Sequence, residues 1–198
     1  RNGGDFMHQR YTYNSYLIRR KIMKLVGADF HFYDPNGQVI LFANLKAFKL
    51  KEDIRIYSGE DKKEELLAIK ARQIVDFSAT YDVYDVVENE KVGALRRKGM
   101  KSIIQDEWIV LDAQDNEIGI IKEDSTALAL IRRFVTNLIP QTFECYINGT
   151  SVCTYKQNMN PFVSKINIDF SKNTGNVLDR RLGIAAGLLL CAIEGKQA

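Results

Sequence analysis

The segment LGIAAGLLLCAIEG, Leu182 to Gly195, narrows the possible folds more than any other part of this 198-residue chain. Its apolar run, Leu182 to Ile193, lies between Arg180-Arg181 and Glu194-Gly195-Lys196. As a helix the run spans about 18 Å at about 1.5 Å per residue, whereas a bilayer core about 30 Å thick asks for roughly twenty apolar residues. The run is too short to be a membrane anchor. Apolar residues occupy every face, which in a soluble domain marks a helix enclosed on all sides. Gly183-x-x-x-Gly187 has the form of the small-residue motif of packed membrane helices. In a soluble chain, small residues such as Gly183, Ala186 and Gly187 instead let strand side chains press close. The expectation is a buried axis, with Leu182, Gly183, Ala186, Gly187 and Leu190 on it.

Something must enclose that helix, and the rest of the chain supplies it. One pattern recurs: an alternating apolar segment, an acidic or Gly/Asn turn, then a second alternating segment that often ends in basic residues. It appears in FHFYDPNGQVILFAN, IRIYSGEDKKEELLAIKAR, YDVYDVVENEKVGALRRK, WIVLDAQDNEIGIIKE and FECYINGTSVCTYK. Period-two alternation gives each strand one buried face, and Asp34-Pro35-Asn36-Gly37 combines Pro and Gly as a turn requires. KAFKLK, RQIVDFSA and FVSKINIDF read as further strands, for a total of about a dozen. So many antiparallel strands curl, and closure removes their edges. Barrels wider than about eight strands are not filled by strand side chains alone. The expected fold is therefore mainly β (α+β), a closed antiparallel barrel of about twelve strands around a central helix from about Val177 to Glu194. DSTALALIRRFVTNL reads as one outer helix, capped by Asp124 or Ser125, with an apolar stripe of Leu128, Ile131, Phe134 and Val135 and with Pro140 after its end.

Composition fits one domain. No linker or low-complexity run divides the chain; residues 1–14 read as a disordered or non-native lead-in and 15–196 as the barrel. With 28 basic and 25 acidic residues the net charge is +3, too balanced for a dedicated nucleic-acid binder. The N-terminus has no secretory pattern. The three cysteines lack C-x-x-C spacing, so neither a zinc site nor a disulfide framework is expected. With Asn148-Gly149 as a two-residue turn, Cys145 is set opposite Val152, and Cys153 opposite Glu144 on the other side of the ribbon. They should not bridge. A reducing, cytoplasmic setting follows, in which Asn148-Gly149-Thr150 is a turn rather than a glycan site.

In its order of motifs the chain resembles the tubby-like superfamily, in the branch of the LURP-one-related proteins and phospholipid scramblases. The matching residues run from YLIRRKIMKLVGADFHFYDPNGQVILFANLKAFKLKEDIRIY, through KEELLAIKAR, ATYDVYDVVENEKVGALRRK and WIVLDAQDNEIGIIKED, to LDRRLGIAAGLLLCAIE. They cover roughly Tyr16 to Glu194. The resemblance implies a twelve-stranded barrel around the C-terminal helix. It also implies a function at membranes: phosphoinositide-headgroup binding through basic side chains, or scramblase-like lipid transport or its regulation. The calcium segment of scramblases falls here on NIDFSKNTGNVLDRR. Asp169, Asn173 and Asp179 offer oxygen there, but the segment lacks the carboxylate spacing and central glycine of an EF-hand loop. A loop that caps the helix, with Asp179 near its positive end, is the expectation.

The residues themselves point away from catalysis. His8 and His31 are the only histidines, too few for a triad or a metal site. Asp82, Asp85, Asp112 and Asp115 fall at hairpin turns or strand ends, where Asp favours turn geometry. No phosphate-binding glycine loop is present, and no metal or cofactor is expected. The basic clusters remain: Arg19, Arg20 and Lys21; Arg96, Arg97, Lys98 and Lys101; Arg132 and Arg133; Arg180 and Arg181. Alternation puts Arg96 and Lys98 on one face and Arg97 on the other. Arg19, Lys21, Arg96, Lys98, Lys101, Arg132 and Arg133 are the candidate headgroup-binding residues. The expected function is a non-enzymatic binding module, peripheral to a membrane, that engages an anionic phospholipid or a protein partner. Scramblase-like transport and a structural scaffold without a small ligand are the alternatives.

Overall fold

The computed structural model describes residues 9–23, 27–46, 53–72, 79–98, 107–124, 141–158 and 164–193. Twelve strands form a closed antiparallel barrel in which neighbours in sequence are neighbours in space: β1 (Ser15–Met23), β2 (Gly27–Tyr33), β3 (Val39–Lys46), β4 (Ile54–Tyr57), β5 (Glu65–Ala71), β6 (Thr80–Asp85), β7 (Glu90–Arg97), β8 (Glu107–Leu111), β9 (Glu117–Glu123), β10 (Gln141–Ile147), β11 (Thr150–Gln157) and β12 (Ser164–Asp169). β1 closes the ring on β12, in register from Ser15 opposite Asp169 to Arg20 opposite Ser164. The five hairpins expected from the sequence are β2–β3, β4–β5, β6–β7, β8–β9 and β10–β11. KAFKLK and RQIVDFSA lie almost wholly outside the described residues, and β1 takes the remaining place in the ring.

Turns are built as their residues require. Asp34 Oδ1 accepts the amides of Asn36 and Gln38, each at 2.9 Å, and Gly37 has φ of 79°. Asp112 Oδ1 does the same for Gln114 and Asn116, and Asp85 Oδ1 for Val87 and Glu88. These aspartates hold turns, as Asx geometry predicts. In β10–β11, Asn148 and Gly149 have φ of 49° and 80°, the two positive values of a type I′ turn.

One expected register is corrected. Strict alternation sets Cys145 opposite Val152 and Cys153 opposite Glu144, but a bulge between Cys145 and Tyr146 makes Val152 the extra residue and pairs Cys145 with Cys153. Both thiols are buried, and no disulfide joins them.

The barrel's axis is α1 (Arg180–Ile193), packed against β12, β1, β7, β11 and β6. All residues from Leu182 to Ile193 are buried, including Leu182, Gly183, Ala186, Gly187 and Leu190. A Cβ on Gly183 would stand 2.4 Å from Phe170 Cε1, and one on Gly187 2.5 Å from Ile168 Cδ1. The small residues therefore admit side chains from β12 and the loop after it. Tyr155 Oη donates to the Gly183 carbonyl at 2.8 Å. The helix begins later than Val177 because Asn173, itself buried, bonds both the amide and the carbonyl of Leu178 and holds that residue in the loop. Asp179 then caps the helix, its Oδ1 accepting the Arg181 amide at 2.9 Å. The expected outer helix lies outside the described residues beyond Asp124. On the barrel's outer side, Ala94, Ile109 and Leu111 form a second, smaller apolar cluster with Ile120 against it.

Ahead of β1 the chain is already tied down. Arg180 Nη1 donates to the carbonyls of Thr12 and Tyr13, and the Phe170 amide donates to Asn14 at 2.7 Å.

Candidate functional site

Two regions of the barrel gather charged side chains around a concavity. The first is a basic face across β11, β12 and β1. Alternation turns Tyr16 and Ile18 inward and Leu17, Arg19 and Lys21 outward. The closing register then sets Arg19 opposite Lys165 on β12 and His31 on β2. Lys156 on β11 lies opposite Asn167, which lies opposite Leu17, itself paired with Tyr33. Arg19, Lys21, Lys156 and Lys165 thus share one outer surface, and none has an ion-pair partner among the described residues. Arg19 and Lys165 line a groove of about 390 Å³ with Leu17, Tyr33 and Asn167. Of the nearby carboxylates, Asp29 lies opposite Lys21 and accepts from Asn44, Glu60 is bonded to His31, and Asp34 holds its turn. Directly opposed like charges in a sheet destabilise it, and Arg19 and Lys165 stand in that relation.

The other candidate basic residues stand differently. Arg96 and Lys98 do share the outer face, but Arg96 is paired with Glu117, and Lys98 with Glu107 at 2.7 Å. Lys101, Arg132 and Arg133 lie outside the described residues, as does His8. Arg20 points inward and is buried, with Nη1 3.4 Å from the Cys191 carbonyl near the C-terminal end of α1 and with Nε unpartnered. Lys156 and Lys165 were missed by the sequence reading. Alternation predicts that each faces outward, but only the closing register shows that they lie beside Arg19.

The second region is the mouth of the barrel where α1 enters. Arg181 is the hub. Its Nη1 donates to Asp85 Oδ2 and Glu90 Oε1, each at 2.7 Å, and its Nη2 to Asp179 Oδ2 at 2.7 Å. These bonds, that to Asp179 foremost, push the guanidinium pKa above its ordinary value. Burial first and the Asp85 charge second push Tyr11 up. The cavity here measures about 500 Å³ and is walled by Asp85, Glu88, Glu90 and Asp179 over Leu178. The three oxygen donors of the calcium-like segment are committed: Asp169 to the Ser171 amide, Asn173 to Leu178, and Asp179 to the helix cap and Arg181. No group of three or more His, Cys, Asp or Glu side chains among the described residues is placed to hold a metal ion. No helix of the described residues is long and apolar enough to cross a membrane.

Neither a protein-family model nor a curated protein matches the chain. Among solved structures, the chain is similar to an X-ray structure of a protein from Arabidopsis thaliana, at 13% identity and a TM-score of 0.47, over 97% of this chain and 98% of that one.

Proposed function

We propose that the chain is a tubby-like barrel of the LURP-one-related and scramblase-like branch, and that it acts as a non-enzymatic module for anionic phospholipid headgroups, peripheral to a membrane inside the cell. The β11–β12–β1 face is its binding surface. The observation that carries the reading is Arg19 directly opposite Lys165, beside a groove, with no carboxylate bonded to either among the described residues. A phosphate between the two turns a repulsion into a pair of charge-assisted contacts. Lys156 extends the positive surface, and each basic residue near an acidic membrane is worth about 1 kcal/mol. Free, buried cysteines suit a reducing compartment. Arg96 and Lys98, already paired, contribute less to this surface.

Lipid transport needs a lipid-exposed path, whereas α1 is spent on the core of the barrel. Sedimentation with phosphatidylcholine liposomes, and with the same liposomes containing a phosphoinositide, tests the reading at low and physiological salt, with and without calcium. Salt-sensitive binding to the anionic liposomes alone, lost in an Arg19→Gln, Lys165→Gln variant, is expected. Equal binding by that variant sinks the assignment of this face, a requirement for calcium restores the scramblase-like reading, and no binding at all leaves a protein scaffold.

A further inference from the structure

We propose that the mouth of the barrel, lined from the β6–β7 turn and the start of α1, docks a basic peptide segment that carries aliphatic side chains. The first observation is an anomaly of turn composition. Five described hairpin turns lie at this end, and four are made of Asp-Pro-Asn-Gly, Ser-Gly-Glu-Asp-Lys-Lys, Asp-Ala-Gln-Asp-Asn and Asn-Gly, as turn chemistry favours. The β6–β7 turn instead carries Val86 and Val87, which are 39% and 43% exposed. Asp85 holds the amides of Val87 and Glu88, so the turn is a fixed element that presents its valines to solvent. On a second segment of the cavity's lining, Val177 is 53% exposed between Asn176 and Leu178, as Val86 and Val87 stand between the lining residues Asp85 and Glu88. Two apolar lips therefore flank one pocket.

Charge selects the occupant. Asp85, Glu88, Glu90 and Asp179 face Arg180 and Arg181 in the pocket, four negative charges against two positive, a local −2 on a chain whose net charge is +3. Arg181 is already shared among three carboxylates, and Arg180 is turned to the carbonyls of Thr12 and Tyr13. Glu88 has no ion-pair partner among the described residues. The anion that an uncapped helix N-terminus attracts is turned away by the Asp179 cap and the carboxylates around it. A lysine or arginine of a partner reaches Glu88 and the exposed side of Glu90, while its aliphatic neighbours cover Val86, Val87 and Val177. The local −2 draws a cationic segment toward this mouth, on a chain whose net charge otherwise opposes it.

The test is fluorescence anisotropy of the full chain with a labelled ten-residue peptide of alternating Lys and Leu. Matched Lys–Ser and Glu–Leu peptides are the controls. Saturable, salt-weakened binding of the Lys–Leu peptide is expected, with Lys–Ser at least tenfold weaker and Glu–Leu unbound. Val87→Ser with Glu88→Lys lowers the affinity at least tenfold, and Val177→Ser on the other lip lowers it independently should the turn variant fail to melt like the parent. Arg19→Gln with Lys165→Gln leaves it unchanged, which separates this site from the lipid face. Equal binding by the lip variants, no saturable binding, or stoichiometric calcium binding that Glu88→Lys abolishes overturns the proposal; the last outcome makes the mouth an ion site.

Discussion

Arg181 Nη1 donates to Asp85 Oδ2 at 2.7 Å, which fastens the first turn of the central helix to the β6–β7 turn across 96 residues of sequence. Asp85 is almost fully buried, and its other oxygen accepts two turn amides. Removing one partner of a buried pair strands a charge and costs about 3–5 kcal/mol. Arg181→Leu is therefore expected to fall in that range in urea unfolding. Asp85→Asn is expected to cost less, because the amide oxygen still serves the turn and Arg181 keeps Glu90 and Asp179. An Arg181→Leu variant that loses less than about 1 kcal/mol, the scale of an exposed ion pair, would show that the pair is not what joins the elements.

Gly187 gains helix propensity on replacement by alanine, by about 1 kcal/mol. The new Cβ, however, stands 2.5 Å from Ile168 Cδ1 and 3.1 Å from Ile18 Cδ1. Overpacking costs about 1–3 kcal/mol, so Gly187→Ala is expected to lower the melting temperature. Ile168→Val removes the closer methyl. The double variant is expected to melt above Gly187→Ala alone, a non-additivity that thermal melts read directly.

Burial pushes the Cys145 thiol up to about 12 and the Cys191 thiol up to about 11. A group whose folded pKa is raised contributes its full stability below the unfolded value, near 9, and loses it as pH climbs through the folded one. Urea midpoints are expected to hold to about pH 9 and then fall toward pH 11–12. A Cys191→Ala variant is expected to show a shallower alkaline decline; an unchanged slope would place the cause elsewhere. In the native protein all three buried thiols are expected to resist a thiol reagent at pH 8 and to react on unfolding.

Arg19→Gln is expected to have opposite effects on stability and on lipid binding. It removes a like-charge cross-strand pair, a change worth about 0.2–1 kcal/mol in favour of the fold, while weakening capture by anionic liposomes. Parallel melts and sedimentation of this one variant check both signs. Loss of stability together with loss of binding would mean that Arg19 supports the barrel itself.

Local chemistry made much of the barrel legible before any coordinates. Asp34-Pro35-Asn36-Gly37 and Asn148-Gly149 fixed two turns through φ angles that few residues adopt, and alternation along β4 or β6 fixed the inward face. The all-round apolar helix required an enclosure, and counting hairpins supplied one. What escaped was register, which depends on non-local contacts. A single bulge beside Cys145 brought two cysteines face to face that strict alternation separates. Lys156 and Lys165 join Arg19 only through pairings between strands at opposite ends of the chain. The triplet Arg19-Arg20-Lys21 divides as alternation demands, yet nothing in its composition shows that Arg20 turns toward the C-terminal end of α1.

The helix that fills the barrel follows all twelve strands in the sequence. During synthesis, hairpins can pair locally as they emerge, since each joins neighbours, but their inner faces have no core until α1 arrives. The β1–β12 seam, which joins strands more than 140 residues apart, can close only around it. Such non-local closure is slow, and exposed inner faces invite association in the meantime. A ribosome-bound or truncated chain that stops short of Leu182 is thus a set of sticky ribbons, open to association until α1 is made.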